Sequence, residues 1–115
     1  MIDAKEKLVV LWTSGDRDTA IKMVFMYTRN AKTRGWWEDV TLVVWGPSAL
    51  LLSRDRGLQE YVREMMEAGI LVEACVTCAE MYGVADELRR LGIEVKKMGV
   101  PLTGYLKEGR HVLAL

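Results

Sequence analysis

Charge of one sign is what this sequence most plainly lacks. Its 115 residues carry 16 Lys and Arg against 16 Asp and Glu, a formal net charge of zero. Nucleic-acid binders draw much of their affinity from a basic excess, so a nucleic-acid partner is not expected. No apolar run approaches the roughly 20 residues that a membrane-spanning helix needs, so a membrane partner is not expected either. The start, Met1-Ile2-Asp3-Ala4-Lys5-Glu6-Lys7, mixes both charge signs and has no apolar stretch of the signal-peptide kind. Histidine occurs once and cysteine twice. A closed zinc site wants four such ligands, so only sharing between subunits would complete one, and no metal or cofactor is expected. The expected setting is the cytoplasm, with both cysteines as thiols.

Apolar residues, by contrast, make up 50% of the chain, enough to bury a core without disulfide or metal staples. This length and composition predict one domain over residues 1–115. Residues 8–12 (Leu-Val-Val-Leu-Trp) are apolar on both faces, as a central parallel strand should be. A helix is predicted over 16–35, with Ser14 or Asp16 as N-cap and Gly35 as C-cap. Its middle is apolar around most of its circumference, which suggests a second buried face against another subunit. Residues 40–45 form a second buried strand, and a short helical piece follows at 49–52. Leu58, Tyr61, Val62, Met65 and Met66 then recur at helical spacing up to Gly69. A third strand over 70–75 precedes helical sequence over 77–90, broken near Gly83. Residues 93–98 alternate as a strand with one exposed side, Pro101 opens a last short helix to 107, and residues 111–115 end the chain as a strand. Strands alternating with helices give an α/β fold with a largely parallel sheet.

Ligands of open parallel sheets bind beyond the carboxyl ends of the strands. Four segments meet at that edge: Thr13-Ser14-Gly15-Asp16, Gly46-Pro47-Ser48, Cys75-Val76-Thr77-Cys78 and Met98-Gly99-Val100-Pro101. The third holds both cysteines of the chain. Thr77 and Glu80 fit a capping box, which makes Thr77 the N-cap and Cys78 the first helical residue. Both sulfurs would then lie near unpaired backbone N–H groups and the positive end of a helix, an environment that favours thiolate. A thiolate is the form that attacks disulfide or persulfide sulfur. The alternative is a pair of ordinary buried cysteines.

Other chemistries fit less well. Thioredoxin-type proteins also place C-x-x-C at a helix start, but there most of the sheet is still to come. Thr13-Ser14-Gly15-Asp16-Arg17-Asp18 matches neither nucleotide-binding glycine pattern, and Asp16 and Asp18 would repel phosphate. Of the adjacent Trp36 and Trp37, one is expected under the sheet and the other at a surface or subunit contact.

The stretch Cys75-Val76-Thr77-Cys78-Ala79-Glu80-Met81-Tyr82-Gly83-Val84 resembles the C-x-x-C-x-x-x-x-G-[IV] segment of the DsrE/DsrF-like (YchN-like) family. Thr13-Ser14-Gly15-Asp16, Trp45-Gly46-Pro47-Ser48 and Gly99-Val100-Pro101-Leu102-Thr103 carry the resemblance along the chain. It implies a three-layer α/β/α sandwich on a five-stranded, mainly parallel sheet, and assembly into trimers or hexamers. Better-studied branches of that family carry sulfur as a cysteine persulfide, on the position that Cys75 occupies here.

The resulting expectation is a sulfur-transfer protein with Cys75 as carrier and Cys78 as resolving or tuning thiol. Ser14, Gly15, Gly46, Pro47, Ser48, Thr77 and Gly99 would line its pocket. The partners would be sulfur donor and acceptor proteins. Two rivals stand beside it: a non-catalytic oligomeric binding module and a dithiol redox protein.

Overall fold

A computed structural model describes residues 3–115, so Met1 and Ile2 of the charged start lie outside the described residues. After a short turn over Ala4–Glu6, five strands form: β1 (Lys7–Trp12), β2 (Asp39–Val44), β3 (Leu71–Cys75), β4 (Glu94–Lys96) and β5 (His111–Ala114). Between β1 and β2, α1 (Arg17–Thr19) runs through a π-helical segment, Ala20–Phe25, into α2 (Met26–Thr33). Asp16 is the N-cap of that run: its carboxylate accepts from the Thr19 N–H at 2.9 Å. The next crossover is α3 (Pro47–Arg54) with α4 (Arg56–Glu67), then α5 (Val76–Met81) with α6 (Ala85–Arg90), and last α7 (Gly99–Glu108). The expected break at Gly83 is real, with φ at +71° between α5 and α6.

The sheet order is β4-β3-β2-β1-β5 and every neighbouring pair is parallel. This order decides where the helices go. The first three crossovers each step one strand in the same direction, whereas the last returns past three strands to reach the far side of β1. Right-handed crossovers therefore place α1 to α6 on one face and α7 on the other. Side-chain alternation follows suit. Leu8, Val10 and Trp12 of β1, Val40, Leu42 and Val44 of β2, and Val72 and Ala74 of β3 join the large core with Phe25, Leu52, Leu58, Met65 and Leu88. The opposite face is a small cluster of Val9, Val43, Cys75 and Met98, against which Leu11, Trp45, Cys78, Tyr105 and Val112 pack. The fold is thus the expected three-layer α/β/α arrangement, with its two outer layers very unequal.

Trp37 is half-buried against the large core and donates its indole N–H to the Tyr27 hydroxyl at 3.3 Å, while Trp36 is 52% exposed. Among the described residues no helix is long and apolar enough to cross a membrane.

Candidate functional site

The chain passes from β3 into α5 without a loop. Cys75 is both the last strand residue and the helix N-cap, with extended dihedrals of φ −73° and ψ 116°. That corrects the capping-box assignment. Because helical geometry already begins at Val76, Thr77 sits in the second helical position, exposed, and the cap receives no side-chain hydrogen bond. Cys78 consequently lies one turn beyond Cys75, at the i, i+3 spacing that stacks side chains on one helix face. The two cysteines pack in the same small cluster, and neither is in a disulfide. Cys75 is 4% exposed, whereas Cys78 is partly open to solvent.

Two groups from the end of β2 close around Cys78: the Gly46 backbone N–H and the Trp45 side chain. Gly46 reaches this position with φ +77° and ψ −141°, a conformation that glycine alone adopts without strain. Both groups draw the thiol pKa down, but burial pushes it up more strongly and the adjacent Cys75 adds to that. The net direction is upward. The expectation that the helix start would favour thiolate is therefore corrected at Cys78, where desolvation outweighs the nearby donors.

The other pocket candidates fall into two groups. Ser14, Gly15, Gly46, Pro47 and Ser48 are drawn together where the β1 and β2 exits touch: a Cβ on Gly15 would lie 3.1 Å from the Pro47 Cβ. Ser48 is fully buried and donates its hydroxyl to the Trp12 carbonyl at 2.6 Å, while its N–H reaches the Thr13 carbonyl at 3.1 Å. It ties the two strand exits together. Ser14 is half-buried and its Oγ accepts from the Asp16 N–H at 3.1 Å. A groove of about 390 Å³ runs beside these loops, lined by Gly15, Pro47, Leu50, Leu51, Arg54 and Asp55. Thr77 and Gly99 are the second group, both exposed, and Gly99 begins α7. Among the described residues no cluster of three or more His, Cys, Asp or Glu side chains is placed to hold a metal ion.

Sequence reasoning missed Glu73. It is 1% exposed on the Cys75 side of β3, accepts a hydrogen bond from the Tyr105 hydroxyl, and pairs with the Lys96 ammonium at 2.5 Å. Glu73 and Glu94 hold the Lys96 pKa well above the ordinary lysine range. Tyr105 is pushed up to about 12, by burial first and by Glu73 second. The available signal was one acidic residue in the apolar strand Leu71-Val72-Glu73-Ala74-Cys75, since a buried carboxylate demands partners.

Comparison with known proteins gives the chain relatives. The model of the DsrE/DsrF-like family matches residues 6–115. A conserved protein of unknown function from Bacteroides thetaiotaomicron, BT1422, is 43% identical, with a TM-score of 0.95 over 100% of this chain and 99% of that one. MTH1491 of Methanobacterium thermoautotrophicum, also of unknown function, is 20% identical with a TM-score of 0.77, over 95% of this chain and 98% of that one. The E. coli ychN protein is 14% identical with a TM-score of 0.70, over 96% of this chain and 99% of that one, and it shares the fold. No curated protein matches the chain.

Proposed function

The chain belongs to the DsrE/DsrF-like family, and from that premise we propose that it is a cytoplasmic sulfur carrier built on Cys75. The observation that carries this reading is the packing of two free cysteines in one cluster at the strand-to-helix junction. The Cys75 thiolate attacks the outer sulfur of a persulfide donor. The donor's S–S bond breaks, a new S–S bond forms on Cys75, and the donor thiolate leaves and takes up a proton. An acceptor thiolate then removes the outer sulfur by the same exchange, so no net oxidant is needed.

Burial, with the adjacent Cys75, raises the Cys78 pKa, so Cys78 is mostly protonated at neutral pH and is assigned the later, resolving role. Once deprotonated, it is placed to attack the Cys75 sulfur instead, forming the Cys75–Cys78 disulfide and releasing hydrosulfide. The Gly46 N–H faces this chemistry, and Ser14, Gly15, Pro47, Ser48, Thr77 and Gly99 complete the proposed pocket, with Ser48 acting as its frame.

Intact-mass measurement after incubation with glutathione persulfide tests the reading on wild type, Cys75→Ser and Cys78→Ser. Added sulfur is expected on wild type and Cys78→Ser and not on Cys75→Ser. Loss of two hydrogens on wild type, with no added sulfur on Cys78→Ser, would replace the carrier with a dithiol redox protein. An unchanged mass in all three would leave a binding module.

The same reading includes self-association, as a trimer or hexamer. It is supported by the apolar surface that Met23, Met26 and Trp36 expose at 39%, 52% and 52%, side by side with Tyr27. Light scattering at micromolar concentration should return a multiple of the 13.1 kDa chain mass, and a monomeric mass would remove this part.

A further inference from the structure

The second sheet face holds a charged group that the sulfur chemistry leaves without a role. Glu73 lies two residues before Cys75 on one strand, so both side chains point to the same side of the sheet. Lys96, its ion-pair partner, is the registered cross-strand neighbour of Cys75. Tyr105 packs against the cluster of Val9, Val43, Cys75 and Met98 and extends its hydroxyl to Glu73. Three elements, β3, β4 and α7, thus meet in one polar knot beside the thiol.

Apart from this knot, α7 is tied by the Lys7–Glu108 ion pair at 3.0 Å and by Arg110 stacked 4.4 Å over the Tyr105 ring, and it buries little apolar surface. None of the α7 residues is buried, and Val100 and Leu106 are 86% and 56% exposed. An element with so little buried apolar surface opens at low free energy. The small cluster it crosses includes Cys75, which is only 4% exposed.

We propose that Glu73 is a positioning residue that acts through Tyr105, with Lys96 holding its other oxygen, to latch α7 over Cys75. Cys75 then reacts only in molecules whose α7 has lifted, while Cys78 reacts without that step. The consequence for function rests on the carrier reading: a sulfur stored on Cys75 is kept from stray thiols. The latch itself rests on the geometry.

Iodoacetamide labelling of the full chain, followed by mass mapping of each cysteine, tests it. In this reaction a carbon–sulfur bond forms, iodide leaves and the thiol proton passes to buffer. Wild type should label at Cys78 faster than at Cys75. Tyr105→Phe keeps the ring and removes only the hydroxyl. It should raise the Cys75 rate about tenfold, as loss of a hydrogen bond to a charged acceptor implies, and leave the Cys78 rate unchanged. Amide hydrogen exchange over residues 99–108 should rise in step, while exchange in α4 stays constant. Glu73→Gln should act in the same direction.

Equal labelling of both cysteines in wild type would overturn the latch. So would a Tyr105→Phe variant that speeds both cysteines together, the mark of general destabilisation, or one that speeds Cys75 without faster exchange in α7. Selective labelling in a protein that takes up no sulfur would sustain the latch and remove only the carrier reading.

Discussion

The two faces of this sheet come from the same strands by alternation, yet they are built to different standards. One is covered by the helical run from α1 to α6 and buries Trp12, Phe25, Leu42, Leu52, Leu58 and Met65 in a continuous core. Trp12 meets Phe25 edge-on at 4.9 Å, and Phe25 leans on Tyr61 at 5.4 Å. The other is crossed by a single helix and buries Val9, Val43, Cys75 and Met98, with the polar Thr41 and Glu73 among them. The difference follows from strand order, since three crossovers of one direction share a face and the return crossover has the other to itself. Stability is concentrated on the crowded face, which leaves the sparse one free to hold thiols, an ion pair and a helix that can move.

The comparison breaks most visibly under cavity-forming substitutions. Phe25→Ala removes a fully buried ring from the crowded face and should lower unfolding free energy by about 4 kcal/mol in urea titrations. Met98→Ala removes an equally buried side chain from the sparse face. There α7 can settle into the space, so a loss of about 2 kcal/mol is expected, near the bottom of the range for such changes. The two faces would be energetically alike, and the contrast lost, if Met98→Ala destabilised as much as Phe25→Ala.

Much of the crowded face was legible in the sequence. Apolar runs marked β1, β2 and β3, the spacing of Leu58, Tyr61, Val62, Met65 and Met66 marked α4, and Gly69 and Gly83 fell where the chain turns with positive φ. Less legible was whatever depends on where one element stops and the next begins. The capping-box pattern at Thr77 and Glu80 is present, but β3 enters α5 with no loop between them, so the cap falls on Cys75 instead. A π-helical segment over Ala20–Phe25 hides within residues apolar on all sides, where no periodicity distinguishes it from α-helix. Among the candidate site residues, the shared location of Cys75 and Cys78 was visible from their spacing, and that of Gly46 and Ser48 from their place after β2. The Glu73 knot was not. Its partners sit on β4 and α7, elements far along the chain that only the strand order brings back to β3. Residues 93–98 read as a strand with one side in water, whereas Lys96 on that side turns inward to a buried carboxylate.

That knot also gives the two faces different responses to alkali. Tyr105 is held up to about 12 from an ordinary 10.0, because burial and the Glu73 carboxylate both disfavour phenolate, and Lys96 is shifted upward by Glu73 and Glu94. Both groups bind their protons more tightly folded than unfolded. Their contribution is therefore fully present below the ordinary tyrosine range and is lost as pH climbs from about 10 toward about 12. Urea titrations across that window should show wild-type stability falling. In Tyr105→Phe the fall should be shallower, with a remainder that Lys96 supplies. Phe25→Ala, on the crowded face, should shift the whole curve downward without altering its slope. A Tyr105→Phe curve parallel to wild type would mean that the phenol is not titrating against Glu73, and the electrostatic distinction between the faces would fall with it.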